Sequence, residues 1–404
     1  MSKKPPKRVA FLFTIFTSSG ILPLMFSQSK TNGIDWWLAV SALCITFAGV
    51  ITMATFGGDT GFALRQLIFT LVGIFIAWGV SSLDVRIMKE SRWFIVLVYL
   101  VGILLLLGLF IFGQSFNGAR SWYSLGPISF QPVDMMKILL ILILAKYFSR
   151  RHVEIARFRH LVITGLYFAA PFGLVVLQPD FGSAMIVLSI WVGMLIASGL
   201  TRKHIMLFGV LAIIGGGILW AFVFQNYQKA RIVSFIHPQA DILGAGYNSY
   251  QSMITVGSGQ WLGKGVGYGT QSRLQFLPEH ETDFIFASFA EEWGFIGSSL
   301  LLLLFIMMLL RMLLLARYAS SNFSRFILIG GVMYLGSHIF LNIGMNIGLL
   351  PVTGVTLPFM SYGGSHLLVE WLFLGMVFSI ERYDMRLSHP EDTRHEFDGF
   401  ASGI

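Results

Sequence analysis

The stretch at 270–294, TQSRLQFLPEHETDFIFASFAEEWG, sets acidic side chains directly against apolar sequence. Glu279, His280, Glu281 and Asp283 lead into the apolar run 284–289, and Glu291 and Glu292 follow near the expected start of a long hydrophobic helix. A carboxylate at the mouth of a membrane segment is costly unless it is paired, hydrated or used, so it marks a candidate site. Asp283, next to the apolar run, is the candidate general base, with Glu279 beside it. The competing reading is an interfacial loop whose acids face water.

Further constellations could serve the same site. In FNGARSWYSLGPISFQPVDMMK, Arg120 and Trp122 stand between Gly118 and Gly126, where glycine lets backbone approach a ligand. A cation beside an indole suits a headgroup or a sugar ring, and equally an interfacial aromatic anchor. Asp134 and Lys137 are three apart behind the helix-opening Pro132, hence on one helical face. Paired toward the interior, they orient the helix, hold an anionic substrate, or do both. Asp180, in QPDFG, is placed to cap the helix after it. In ITVGSGQWLGKGVGYGTQSR, Lys264 and Arg273 lie among glycines; the order is not that of a Walker loop, but N–H groups and cations there could cradle phosphate. The loop LLPVTGVTLPFMSYGGSH is irregular and apolar, a combination tolerated at membrane depth only when buried in protein or lining a cavity. One base, several cations and several rings fit a lipid-linked, negatively charged, sugar-bearing substrate better than an ion or a small apolar solute.

The elements that must position these residues are membrane helices. The 404 residues are 55% hydrophobic and 12% charged, which excludes an ordinary soluble domain. Apolar runs of about twenty residues recur, each able to cross a hydrocarbon layer of about 30 Å, and the alternation of a barrel is absent. The predicted fold class is an all-α polytopic membrane protein of about ten spans. They are 36–56, 62–83, 93–113, 131–148, 161–177, 181–200, 204–224, 293–316, 326–346 and 366–380. A long extracytoplasmic loop, 225–283, separates the seventh from the eighth and is expected to hold amphipathic surface helices.

A net charge of +8 would suggest nucleic acid for a soluble protein. Here the basic residues gather in alternate short loops: Arg86, Lys89 and Arg92; Arg150, Arg151, Arg157 and Arg159; Arg202 and Lys203; Arg317 and Arg325. By the positive-inside rule that face is cytoplasmic, the loops 114–130, 225–283 and 347–365 are outside, and no nucleic-acid partner is expected. The chain then divides into an N-terminal extension (1–34), a transmembrane domain (35–380) and a polar cytoplasmic tail (381–404). Residues 9–26 read as an interfacial helix, with a signal peptide or an extra span as alternatives. Cys44 is the single cysteine, so no intramolecular disulfide forms, and no Cys or His pairs have zinc-ligand spacing.

The runs NGARSWYSLGPISFQPVDMMK, QPDFGSA, GSGQWLGKGVGYGTQSRLQFLPEHETDFIFASFAEEWGFIG and NIGMNIGLLPVTGVTLPFMSYGGS strongly resemble the SEDS family of bacterial cell-wall polymerases, the RodA, FtsW and SpoVE group. The likeness spans about residues 35–385 in order, and the wording around TQSRLQFLPE and GSGQWLGKG is closer to the RodA, elongation, branch than to the division branch. It implies a ten-helix inner-membrane glycosyltransferase that polymerises lipid II into peptidoglycan strands at the outer leaflet. The family's essential acid maps to Asp283, its first-loop tryptophan to Trp122, and its fourth-helix acid–base pair to Asp134 and Lys137. Departures are Gln131–Pro132–Val133–Asp134 where QPSE is usual, His280 before Glu281 where PExHTDF is usual, and His366 in place of a serine after GGS.

On that resemblance Asp283 deprotonates the 4-hydroxyl of the acceptor N-acetylglucosamine, which displaces undecaprenyl pyrophosphate from the donor with inversion. Arg120, Lys137, Lys264 and Arg273 are the candidate cations for the leaving pyrophosphate, and a divalent cation, magnesium or manganese, could share that work. The implied partners are lipid II, a class B penicillin-binding protein transpeptidase and the elongation machinery. Rival readings are a lipid II flippase and a non-catalytic scaffold for the transpeptidase.

Overall fold

The computed structural model describes residues 34–385 except 57–60, 92, 117–118, 126–127, 152–157, 200–205, 207–208, 211–213, 218, 225, 237–243 and 245. The expected interfacial helix at 9–26, most of the tail and much of the seventh predicted span lie outside the described residues.

The chain runs α1 (Trp36–Ala54), α2 (Gly61–Ser81), α3 (Arg86–Glu90) and α4 (Phe94–Phe112), then β1 (Gln114–Phe116), β2 (Ala119–Leu125) and β3 (Ile128–Phe130). It continues α5 (Pro132–Arg151), α6 (Phe158–Leu177), α7 (Phe181–Ala197), α8 (Asn226–Ile236), α9 (Tyr247–Ser258), α10 (Thr270–Arg273), α11 (Ile285–Tyr318), α12 (Asn322–Asn346) and α13 (Gly364–Ile380). Helix starts follow local chemistry. Asp35 accepts from the N–H groups of Trp37 and Leu38 at 3.0 and 3.1 Å, and Asp180 accepts from Ser183 N at 3.0 Å, the cap expected for QPDFG. Pro132 opens α5 and places Asp134 in its first turn, where the helix dipole favours an anion.

The protein is a polytopic helical membrane protein, and among the described residues seven helices are long and apolar enough to span: α1, α2, α4, α6, α11, α12 and α13. Helix α7 is apolar but shorter. Helix α5 matches the required length while carrying Asp134, Lys137, Lys146, Arg150 and Arg151. Buried share ranks the helices by position: 78% of the apolar window of α13 and 61% of that of α12 are buried, against 22% for α2. Helices α12 and α13 are therefore the interior of the bundle, α12 packing on α5, α7 and α11, and α13 on α2.

The all-α class holds, and two features refine it in detail. The connection between α4 and α5 holds a small antiparallel sheet of order β1-β2-β3 with Gln114 opposite Trp122 and Tyr123 opposite Phe130. ARSWYSL lacks the strict alternation that marks a strand, because Trp122 and Tyr123 are adjacent. The eighth predicted span begins at Ile285 rather than 293, because the short apolar run 284–289 is itself helical and is joined to the longer segment across Gly294. Gly294 has φ +66° and ψ −166°, and a Cβ there would collide with the backbone nitrogen of Gly263. Glycine is required for the two halves of α11 to meet the loop at 259–265.

Candidate functional site

A cavity of about 440 Å³ opens where the sheet, the turn before α7, helix α8, the 279–283 segment and the loop 351–363 converge. Trp122, Asp134, Lys137, Glu279 and Asp283 all line it, so five sequence-derived candidates share one space. Arg231, His338 and His366 line it too. Arg120 sits exposed on β2 outside the lining, and Lys264 and Arg273 are also elsewhere.

Lys264 has a structural partner instead. Its Nζ lies 2.6 Å from Glu291 Oε1, and the two buried carboxylate oxygens of Glu291 also accept from the backbone N–H groups of Thr270, Gln271 and Ser272 at 2.9, 3.0 and 3.2 Å. The charge folds the glycine-rich loop around α11. Arg273 donates to Gly267 O at 3.2 Å within the same loop. Glu292, also buried, accepts from Thr55 Oγ1 at 2.6 Å and Gly267 N at 3.0 Å. His280, the displaced imidazole, is buried with Nδ1 3.0 Å from Leu277 O and its ring edge-on to Phe56. These groups hold the loop and do not line the cavity.

The backbone that presents Asp283 is held at three consecutive carbonyls. Tyr362 N donates to Glu281 O at 2.9 Å, Ser361 Oγ to Thr282 O at 2.7 Å, and the side-chain amides of Asn342 and Asn346 to Asp283 O at 2.9 and 3.0 Å. The irregular loop 351–363 is thus a brace for the acid, and Gly354, at φ +70°, places its α-carbon so that a Cβ would sit 3.6 Å from Asp283 Oδ2. Ser361 O is itself gripped by Gln66 Nε2 at 3.0 Å and His366 Nε2 at 3.2 Å. Burial, reinforced by the negative charge of Glu279, pushes the Asp283 carboxyl up from 3.8 to about 7, against an opposing pull from Arg231. A carboxyl so poised can take and return a proton near neutrality.

Deeper in the cavity Lys137 Nζ donates to Asp134 Oδ1 at 2.9 Å, with both side chains nearly inaccessible. The second oxygen of Asp134 has no protein hydrogen-bond partner. Because α5 starts at Pro132, this pair faces α12 and the cavity rather than lipid, as the i, i+3 spacing requires.

The match to the family described as cell cycle protein, FtsW, RodA and SpoVE, extends over residues 32–386. This chain belongs to that family. Among curated SEDS relatives, the peptidoglycan glycosyltransferase MrdB of Escherichia coli K12 is 36% identical over 351 residues, covering 87% of this chain and 94% of the relative. Stage V sporulation protein E of Bacillus subtilis is 35% identical, covering 88% and 99%. Two solved structures share the SEDS architecture: a chain of a peptidoglycan synthase complex that coordinates polymerization and crosslinking (TM-score 0.76, 30% identity, 87% and 98% covered) and the rod shape determining protein RodA of Thermus thermophilus (TM-score 0.65, 29% identity, 87% and 98% covered).

His338, Asn342 and Asn346 are not among the candidates the sequence yields, although they recur every four residues on α12. Polar side chains at that period inside a spanning helix are a readable signal for an interior, functional face. Arg231 carried no such signal, since only folding of α8 across the cavity brings it near Asp283.

Proposed function

We propose that this protein is a peptidoglycan glycosyltransferase that polymerises lipid II, with Asp283 as general base. The carboxylate takes the proton of the acceptor 4-hydroxyl as that oxygen bonds to C1 of the donor sugar. The C1–O bond to undecaprenyl pyrophosphate breaks, and one displacement inverts the anomeric centre. The observation that carries this reading is Asp283 itself: an acid poised near neutrality, on braced backbone, facing a cavity that also holds Trp122 and two cations. Trp122 suits stacking on a sugar ring, and Lys137 and Arg231 suit the developing charge on the pyrophosphate. No three His, Cys, Asp or Glu side chains form a candidate metal site among the described residues. A divalent cation would therefore have to take most of its ligands from substrate phosphates and water.

The basic residues Arg86, Lys89, Arg150, Arg317 and Arg325 lie toward the bundle end remote from the cavity, which supports a cytoplasmic assignment for that end and an extracytoplasmic site in the inner membrane. The likeness to a chain of a synthase complex supports a class B penicillin-binding protein as partner, and the RodA-like wording at 257–279 supports a role in elongation.

The test is polymerisation in liposomes that carry lipid II only on the leaflet facing the cavity. Glycan chains formed there by the purified protein, and lost with Asp283→Asn, fit the proposal. Leaflet exchange without polymer points to a carrier, and growth supported by an inactive Asp283 variant points to a scaffold.

A further inference from the structure

We propose that Asn342 and Asn346 are positioning residues for the transfer reaction, holding the main chain of Asp283 so that its carboxyl is aimed into the cavity rather than relaxed toward solvent. The inference rests on the general-base reading above and adds two residues to it.

The geometry is that of a clamp with four arms. Asn342 Nδ2 donates to Asp283 O at 2.9 Å and to Val355 O at 2.7 Å, which ties the acid to the loop opposite. Asn346 Nδ2 donates to the same Asp283 oxygen at 3.0 Å. Its Oδ1 accepts from Ala287 N at 3.1 Å, in the first turn of α11. Phe284, at the N-cap position of α11, offers no side-chain cap, so Asn346 satisfies one orphan N–H of that helix from a neighbouring helix. On its far side Asn346 O accepts from Ser252 Oγ at 3.0 Å, which joins α9 of the long loop to the same point. Both asparagines are fully buried.

Asn346 Nδ2 also bonds within α12, to Asn342 O at 2.9 Å, which steadies the pair. Of the five Nδ2 and Oδ1 contacts to other segments, three end within four residues of Asp283 or on its own carbonyl. Two donors on one carbonyl also fix its direction, and with it the Cα–Cβ bond of Asp283. The charges that face this carboxyl are Glu279 and Glu281 on its own segment, Arg231 on α8 and Asp180 at the start of α7. Moving the carboxyl by about 1 Å changes its distance to each of them and to the acceptor hydroxyl, and displacement of that size costs up to roughly 10²-fold in rate.

The test compares Asn342→Leu, Asn346→Ser and the control Thr164→Val, which alters a buried hydroxyl bonded only to its own helix, with wild type and Asp283→Asn. Polymerisation of purified lipid II gives kcat and KM across pH. Independently of activity, carbodiimide labelling of Asp283 read by mass spectrometry gives its protonation midpoint. In folded Asn342→Leu, kcat is expected to fall about tenfold or more with KM changed less than about threefold, and the labelling midpoint to move down by a unit or more, while Thr164→Val changes neither. Asn346→Ser, which puts a shorter polar hydroxyl in place of the carboxamide, is expected to show a smaller shift in the same direction and serves if the leucine variant does not fold. A wild-type midpoint and kcat in either folded asparagine variant, with Asp283→Asn inactive, overturns the positioning role and leaves the general-base reading intact. An active Asp283→Asn overturns both.

Discussion

Lys137 Nζ lies 3.2 Å from His338 Nε2. The other ring nitrogen of His338 faces Thr356 O at 3.0 Å, so Nδ1 carries the proton and Nε2 offers its lone pair to the ammonium. The imidazole must be neutral to do so, and the pair joins α5 to α12 beneath the loop that braces Asp283. His338→Phe should leave Lys137 held by Asp134 alone and let its charge swing away from the pyrophosphate position. The expected result is a KM for lipid II raised about tenfold, near 1.4 kcal/mol, with a smaller change in kcat. An unchanged KM in folded protein would remove Lys137 and His338 from substrate binding.

The two loop cations should behave differently from Lys137. Glu291→Gln leaves the exposed Lys264 without its charge partner and weakens the acceptors of three backbone N–H groups at a buried carboxylate, a loss on the order of 2 kcal/mol. Thermal unfolding in detergent should fall by several degrees, and protease should cut within 264–273. Lys264→Met should impair polymerisation far less than Lys137→Met. Equal loss of turnover at unchanged stability would restore Lys264 as a substrate residue.

Stability should depend on pH through Asp283. Its folded-state carboxyl is raised from 3.8 to about 7, so it binds its proton more tightly than in the unfolded chain. That contribution is fully present below the unfolded value and is gone once pH has risen through the folded one. Asp283→Asn, which removes the cost of ionising a buried carboxyl, should therefore melt higher than wild type at about pH 8, with the difference shrinking toward about pH 5. A difference that grows on acidification would mean the acid is held ionised by its neighbours.

Gly294→Ala tests the junction between the helix that follows Asp283 and the long loop. The alanine meets both a φ that L-residues rarely adopt and the backbone of Gly263, neither of which can yield cheaply. A loss of more than about 2 kcal/mol, or failure to accumulate in membranes, is expected. Wild-type accumulation would show that α11 can bend without glycine.

Much of this was legible in the residues. Asp283, Trp122, Asp134, Lys137 and Glu279 announced themselves as charge or indole beside apolar sequence, and the fold brings all five to one cavity. Lys264 lies outside that cavity: glycine and lysine together suit phosphate and an internal ion pair equally well in sequence, and the return of α11 beneath the loop supplies Glu291. The sheet at 114–130 is not legible from sequence because two of its strands have three residues and the seven-residue strand, with Trp122 beside Tyr123, does not alternate. Asn342 and Asn346 were hidden inside a span identified by hydropathy, a measure that averages away the polar face it should reveal.

The most direct measurement is the single-turnover rate of glycan transfer by purified wild type and Asp283→Asn, followed from about pH 5 to pH 9 on saturating lipid II. The account predicts a wild-type rate that climbs with pH through a midpoint near 7 and then levels. It also predicts a variant slower by about 10²-fold or more whose residual rate lacks that climb. A variant that retains the same ascending limb at a comparable rate would show that some other group removes the proton.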